Sequence, residues 1–520
     1  MKNRPYNILF HTHTISGIII SAVLYVIFFA GSFSFFRDEI VNWERNHTVE
    51  YTDDMTLDID SALIALDKQH KLYGRDVEFR KYNIEQRVGV SLSASKDSLA
   101  PKETNVSSYL SIDTKELSNH TYINSYTLGE FLYRLHFLAQ IPYPFGYYLS
   151  GFIAFFFLFA IITGILVHWN KIVSNFYQFR PWAKLKTLWT DAHTALGVIG
   201  LPFQFVYAVT GAFFMIKAIL VAPSVMLLYD GNQTKFYEDL GYAHPHFNFE
   251  NNTLSTNFSI NTFTQKTKEL WKDFQVSEIH IFNYGDTNMH VLVSGHLNYK
   301  TKFNGMGEAI YKVSSGELIS KKEPQLKTTY LEGVKNILYR IHYGDYGGYA
   351  LKLISFILGI ITCVVIISGV MIWLVARDKK HIPEKKRQFN EWLVRIYLAI
   401  CLSMYPITGL SFIAVKTLGN GMPFIYRFYF VGWLLISLFF IIKKDNKFTT
   451  KSSLLLGSIF GFLIPIINGI TTGNWIWTSY LENKQQILFI DTFWLVLSFL
   501  TFITYFKIKN KQAIKKLATK

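Results

Sequence analysis

Apolar and polar residues fall along this chain in long blocks rather than with the short period of an amphipathic helix or strand. From Tyr147 to Val167 there are 21 residues with no Asp, Glu, Lys or Arg. At about 1.5 Å per residue they cross a hydrocarbon core of about 30 Å. Similar runs cover Ile15–Phe36, a third stretch beginning near Thr194, and a fourth ending near Trp373. Four more follow with short connections: Trp392–Val415, Phe424–Ile442, Ser453–Thr472 and Ile487–Phe506. The pattern predicts a polytopic α-helical membrane protein with eight transmembrane helices.

Two long polar segments, about 38 to 135 and 218 to 340, interrupt the first four spans. Alternation at Tyr82–Ser93, Glu278–Val293 and Glu308–Val313 predicts strands, with Asn283-Tyr284-Gly285-Asp286 and Ser314-Ser315-Gly316-Glu317 as turns. Ser61–His70 and Phe263–Trp271 read as short helices ahead of the strands. Each segment is expected to be a small α+β domain. The expected boundaries are 1–37, 146–169, 193–217 and 348–376 for spans one to four, with polar domains at 38–145 and 218–347. Loops at 170–192 and 377–390, a four-helix region at 391–507 and a tail at 508–520 complete the division.

The chain also repeats itself. Leu132-Tyr133-Arg134-Leu135-His136 returns as Leu338-Tyr339-Arg340-Ile341-His342, and Thr163-Gly164 later in the first copy is answered by Ser368-Gly369. Ahead of each copy stands His-Thr-x-x-Gly, once as His13 to Gly17 and once as His193 to Gly197. The unit is therefore helix, polar segment, helix, and it occurs twice.

Composition sharpens this picture. Half of the 520 residues are hydrophobic and 17% are aromatic. The net charge of +15 comes from Lys and Arg clustered beside spans, the distribution that orients helices in a bilayer, and not from a nucleic-acid-binding face. Clusters at Lys171–Lys186, Arg377–Arg387, Lys443–Lys451 and Lys507–Lys520 put these loops and both termini in the cytoplasm of a bacterial-type inner membrane. The polar domains are then extracytoplasmic. The run Ile15–Phe36 is too long for a signal-peptide core and reads as an uncleaved anchor. Cys363 and Cys401, the two cysteines, both lie in spans, which excludes a disulfide framework and a cysteine-held iron–sulfur cluster.

In this topology His13 and His193 lie at the cytoplasmic level and His136 and His342 at the outer level. A lone histidine at a helix end more often makes an interfacial hydrogen bond than a metal bond. Two matched pairs change that reading, because two imidazoles are what a six-coordinate b-type haem requires and two haems are expected. Zinc would need further ligands at each level. His168, answered by Trp373 in the second copy, competes for the inner position, as does His11. Gly17, Gly151, Gly164, Gly197, Gly211, Gly359 and Gly369 would let helices approach a ring, or simply one another.

These motifs, H-x-x-x-G on one helix and L-Y-R-x-H before the next, resemble those of the PepSY-associated transmembrane helix family over roughly residues 5 to 380. The resemblance implies PepSY-like polar domains inserted in a duplicated four-helix haem-binding bundle. It also implies an oxidoreductase of the inner-membrane ferric-siderophore reductase type. The acceptor would be a ferric siderophore or other iron complex outside, and the donor a quinol or a cytoplasmic reductase, since no G-x-G-x-x-G fingerprint occurs. Tyr143, Tyr147, Tyr343 and Tyr346 are candidates for the substrate lip, or equally for an interfacial aromatic belt. Two other functions compete: a permease for an iron complex, disfavoured because the spans read as nearly free of buried ionisable groups, and a binding or regulatory protein, which leaves the histidine pairs unexplained. The connection from His136 to Gly146 is four residues longer than that from His342 to Gly348, which bears on whether the two lie at equal depth.

Overall fold

The structure, a computed structural model, describes residues 3–177, 180, 183, 185–240, 245–297, 305–324 and 330–517. The chain begins with α1 (Asn3–Ser34) and the short α2 (Arg37–Arg45). The first polar segment holds α3 (Ile59–His70), β1 (Val77–Arg80), β2 (Arg87–Leu92), β3 (Ser108–Asp113) and β4 (Asn119–Thr121). After it come α4 (Leu128–Leu135), α5 (Phe145–His168), α6 (Ile172–Tyr177) and α7 (Leu185–Leu228). The second polar segment holds α8 (Gln233–Asp239), α9 (Ile260–Leu270), β5 (Phe274–Phe282), β6 (His290–Leu297), β7 (Met306–Lys312) and β8 (Glu317–Lys322). It leads into α10 (Tyr330–Tyr343) and α11 (Gly348–Arg377). The C-terminal part comprises α12 (Glu384–Thr417), α13 (Met422–Lys443), α14 (Asn446–Thr472), α15 (Ile476–Leu481) and α16 (Gln485–Leu517).

Among the described residues eight helices are long and apolar enough to cross a membrane, namely α1, α5, α7, α11, α12, α13, α14 and α16. The chain is a multi-pass membrane protein. The third span departs most from the sequence expectation of 193–217: α7 runs 44 residues and contains Pro202 and Pro223. His193 therefore lies two turns inside a helix rather than at its mouth, and His13 is likewise within α1. The predicted loop 170–192 and tail 508–520 fall partly outside the described residues.

The molecule divides into two compact units. One comprises Met1–Asn46, Thr127–Pro223 and Ile341–Lys520, and the other His47–Tyr126 and Ser224–Arg340. In the first, α1 packs along α5 and α11, and the later helices pack as α12 on α13, α12 on α14 and α14 on α16. Gly129 in α4 meets α2 so closely that a Cβ there would come within 2.7 Å of the Arg37 carbonyl oxygen. No larger residue permits that approach.

The second unit corrects the expectation of two separate α+β domains. The two polar segments contribute to a single eight-stranded sheet of order β4-β3-β2-β1-β5-β6-β7-β8. Its central joint is the antiparallel pairing of β1 with β5, from Val77 opposite Ile281 to Arg80 opposite Glu278. Pairing the two central strands leaves each segment one free edge rather than two. Alternation along β2 buries Val88, Val90 and Leu92 in a core shared with Leu63 and Leu66 of α3 and Phe263 of α9. The N-termini of α3 and α9 cap one another: Asp60 accepts from the Ile260 amide at 2.7 Å, and Asn261 accepts from the Ile59 amide at 3.0 Å. Arg80 is held further toward its charged form; burial opposes this, but Glu278 at 2.8 Å and Glu78 outweigh it.

Candidate functional site: two histidine pairs

α1 carries His13, α7 carries His193, and the two rings face each other with centres 6.1 Å apart and planes inclined by 67°. Each is oriented by the helix that follows in its own copy. His13 Nδ1 lies 2.9 Å from the Ala160 carbonyl and 3.4 Å from Thr163 Oγ1, both on α5. His193 Nδ1 lies 2.9 Å from the Val365 carbonyl and 3.3 Å from Ser368 Oγ, both on α11. A carbonyl accepting from Nδ1–H fixes the tautomer that leaves Nε2 unprotonated and free to bind a metal. Gly164 and Gly369 make room: a Cβ on either would stand 3.1 Å from the Cε1 of its histidine.

His136 caps the C-terminus of α4 and His342 lies near the end of α10. Their rings are 6.5 Å apart between centres, inclined by 32°. The four extra residues before Gly146 do not put them at different depths. They are taken up in a turn in which the Ala139 amide donates back to Arg134 O. His342 Nδ1 is 2.7 Å from Thr210 Oγ1 of α7, and the Tyr207 hydroxyl donates to the His342 carbonyl. His136 Nδ1 contacts its own helix at the Tyr133 carbonyl and lies 3.4 Å from Ser34 Oγ. Burial lowers the pKa of both imidazoles and so favours the neutral, ligating form.

With metal–nitrogen bonds of about 2 Å, two imidazoles on opposite sides of one ion have ring centres roughly 6 Å apart. Both pairs have that spacing. Among the described residues no group of three or more His, Cys, Asp or Glu is placed to hold a metal, so each pair supplies two protein ligands and no more. Gly17 and Gly197, one turn beyond the inner histidines, have nothing within 4 Å of an added Cβ. The arrangement fits a flat cofactor ligated from both faces better than a tetrahedral ion.

The PepSY-associated TM region family model matches residues 10–376. The chain belongs to the PepSY-associated transmembrane family. Comparison with curated proteins finds no match. The family match contains all four paired histidines and ends before α12, so α12–α16 lie beyond it.

In this PepSY-associated protein a cavity of about 350 Å³ lies at the outer pair, lined by His136 and His342 with Ser34, Tyr133, Arg134, Tyr147, Ser150, Tyr207, Phe214 and Tyr343. Two of the four proposed lip tyrosines, Tyr147 and Tyr343, line it. Tyr143 packs edge-on against Tyr147 with ring centres 5.4 Å apart, and Tyr346 lies at the surface. His11 is exposed and stands against Phe10, while His168 is only partly buried at the end of α5. The rings in contact at the inner level are those of His13 and His193, the repeat-matched pair.

Sequence reasoning missed Thr210 and Tyr207, although Thr210-Gly211 stands where the first copy has Ala30-Gly31. It also read the spans as nearly free of buried ionisable residues, and the structure corrects this. Asp491 in α16 is fully buried, and Lys352 at the start of α11 meets the buried Glu39 at 2.7 Å. A single carboxylate in the apolar run of α16 gives no sign of its partners until α2 is folded against it.

Proposed function

We propose that this protein conducts electrons across a bacterial-type inner membrane through two b-type haems to an iron complex outside, a ferric siderophore. The observation that carries the reading is the placing of two histidine pairs at two levels of α1 and α7: His13 and His193 on those helices, and His136 and His342, from α4 and α10, beside Gly31 of α1 and Thr210 of α7. His13 and Gly31, which approaches the His136 Cβ, are eighteen residues apart on α1, so the levels are separated by roughly 27 Å. That distance is close to the thickness of the hydrocarbon core, about 30 Å, which one cofactor cannot bridge.

His13 and His193 would hold the inner haem, and His136 and His342 the outer one. When bound, each haem supplies reversible one-electron chemistry. The chain's own residues do the rest. Ala160 and Val365 aim the inner imidazoles, Thr210 aims His342, and the apolar helices exclude water between the levels. Both termini would be cytoplasmic and the sheet unit extracytoplasmic, in keeping with the lysine and arginine clusters. The donor would be a quinol or a cytoplasmic reductase, and Tyr147 and Tyr343 would face the acceptor's side of the outer haem.

The buried Asp491 is the observation that favours a permease. It is fully engaged by neighbouring helices, however, as a structural ionisable group would be, which leaves the conduit the better reading. Chemically reduced protein in vesicles, mixed with an external ferric hydroxamate, should reoxidise and release Fe(II) to a ferrous-specific chelator. Reduced protein that stays reduced, in vesicles that accumulate the intact iron complex, would favour the permease.

A further inference from the structure

The helices α12–α16 contain no histidine and lie beyond the family match, so the conduit gives them no task of its own. We infer that they brace α2 and α4 and thereby set the position of His136. The inference deepens the proposed function, but its mechanical part stands independently of haem.

Two of these helices, α16 and α12, grip one residue of α2, and α14 supports the grip from behind. Asp491 of α16 accepts from the Trp43 indole at 2.8 Å and from Asn468 of α14 at 2.8 Å. Lys416 of α12 donates to the Trp43 carbonyl at 2.5 Å, with its ammonium 4.4 Å from the centre of the indole. Phe412, also of α12, packs on the same ring. A buried carboxylate in a membrane bundle is strongly disfavoured unless neighbouring groups satisfy it. Here one of the two groups that satisfy Asp491, the Trp43 indole, joins the C-terminal helices to α2.

From α2 the chain of contacts runs to α4. Arg37 donates to Glu130 from Nε and Nη2 at 3.1 and 2.9 Å. Glu44 accepts from the Leu128 amide at 2.7 Å, in the first turn of α4, and Gly129 admits the close approach described above. The C-terminal region also touches α4 directly, since Phe131 packs on Tyr429 of α13 with ring centres 4.7 Å apart. Helix α4 ends at Leu135, and His136 is the next residue. An eight-residue helix is too short to hold its own position without tertiary contacts. His342, by contrast, is tied to α7 through Thr210 and Tyr207.

The test uses full-length protein carrying Asp491→Ala, Asp491→Asn or Trp43→Phe. In Asp491→Ala, loss of a buried charged acceptor should raise amide exchange across residues 128–138 about tenfold. Exchange around His193 in α7 should be unchanged. Asp491→Asn, which retains an acceptor, should restore most of the protection, and Trp43→Phe, which removes only the donor, should reproduce the loosening. In haem-loaded protein the outer signal should shift or be lost while the inner one stays. Wild-type exchange across 128–138 in both Asp491→Ala and Trp43→Phe overturns the brace. If the protein binds no haem at all, the conduit fails, and the exchange data alone still decide the brace.

Discussion

The inner and outer histidine pairs are built from the same duplicated unit but are held differently. At the inner level the two copies agree closely. Each Nδ1 stands 2.9 Å from a carbonyl on the helix that follows, with a hydroxyl at 3.4 Å in one copy and 3.3 Å in the other, and with a glycine behind the ring. At the outer level they have diverged. His136 caps a short helix and leans on its own turn, whereas His342 is tied across to Thr210, and both line a cavity that also carries Tyr133, Tyr147, Tyr207 and Tyr343. A site that only holds a cofactor can keep its two-fold equivalence. One that must also admit an acceptor has reason to lose it.

The largest expected effect comes from removing the space that keeps the inner pair equivalent. Gly164→Val or Gly369→Val would drive a side chain into a ring that already stands 3.1 Å from an added Cβ. Each should abolish inner haem binding and spare the outer site, as seen by haem content and redox titration; normal inner occupancy in both would break the claim that these glycines define that level. Next in size is Thr210→Val, which removes the hydroxyl on His342 Nδ1 without changing shape. It should shift the outer haem's midpoint potential and leave the inner one in place, because ligand basicity follows the Nδ1 partner. A shift at both levels would show that the two are not separable.

The planes of the inner imidazoles are inclined by 67° and those of the outer by 32°. Low-temperature EPR of the oxidised protein should therefore give two distinct low-spin signals, the inner with the larger maximum g value. A single signal for both would erase the contrast. The smallest effect belongs to the sheet unit. There the Asn261 amide, with the Ser61 amide, holds the Asp58 carboxyl below its usual pKa. A depressed carboxylate contributes stability at neutral pH that is lost as pH falls through about 4 and below. Asp58→Ala should cost about 1 kcal/mol of that unit's stability as a lost cap, flatten this acid dependence, and leave both histidine pairs untouched.

Much of this was legible in the sequence because its signals are local. Eight charge-poor runs set the spans, and four histidines at matched positions set the pairs. The observed helices α5 and α11 begin and end within a residue or two of the expected limits. What escaped was non-local. The strand Val77–Arg80 lies outside the predicted runs, and nothing in Glu278–Val293 announces that Val77 will pair with Ile281, since strand patterning records which face is buried and not which strand lies alongside. The start of α7 was missed because its first turns, Leu185 to Ala192, carry charge and read as loop, and its end because the helix runs on from residue 218 to Leu228 into what was read as the polar segment. Asp491 looked like a stray carboxylate, and only the folded α2 supplies the indole that satisfies it.

The most direct measurement is haem b per chain, by pyridine haemochrome on full-length protein purified from haem-replete cells. The expected result is about two per chain. His13→Ala and His193→Ala should each lower it to one, with the same haem lost in both, and His136→Ala and His342→Ala should each remove the other. The pair His13→Ala with His136→Ala should leave none. A colourless wild-type protein, or one that keeps both haems when both members of one pair are lost, would contradict the two-level conduit.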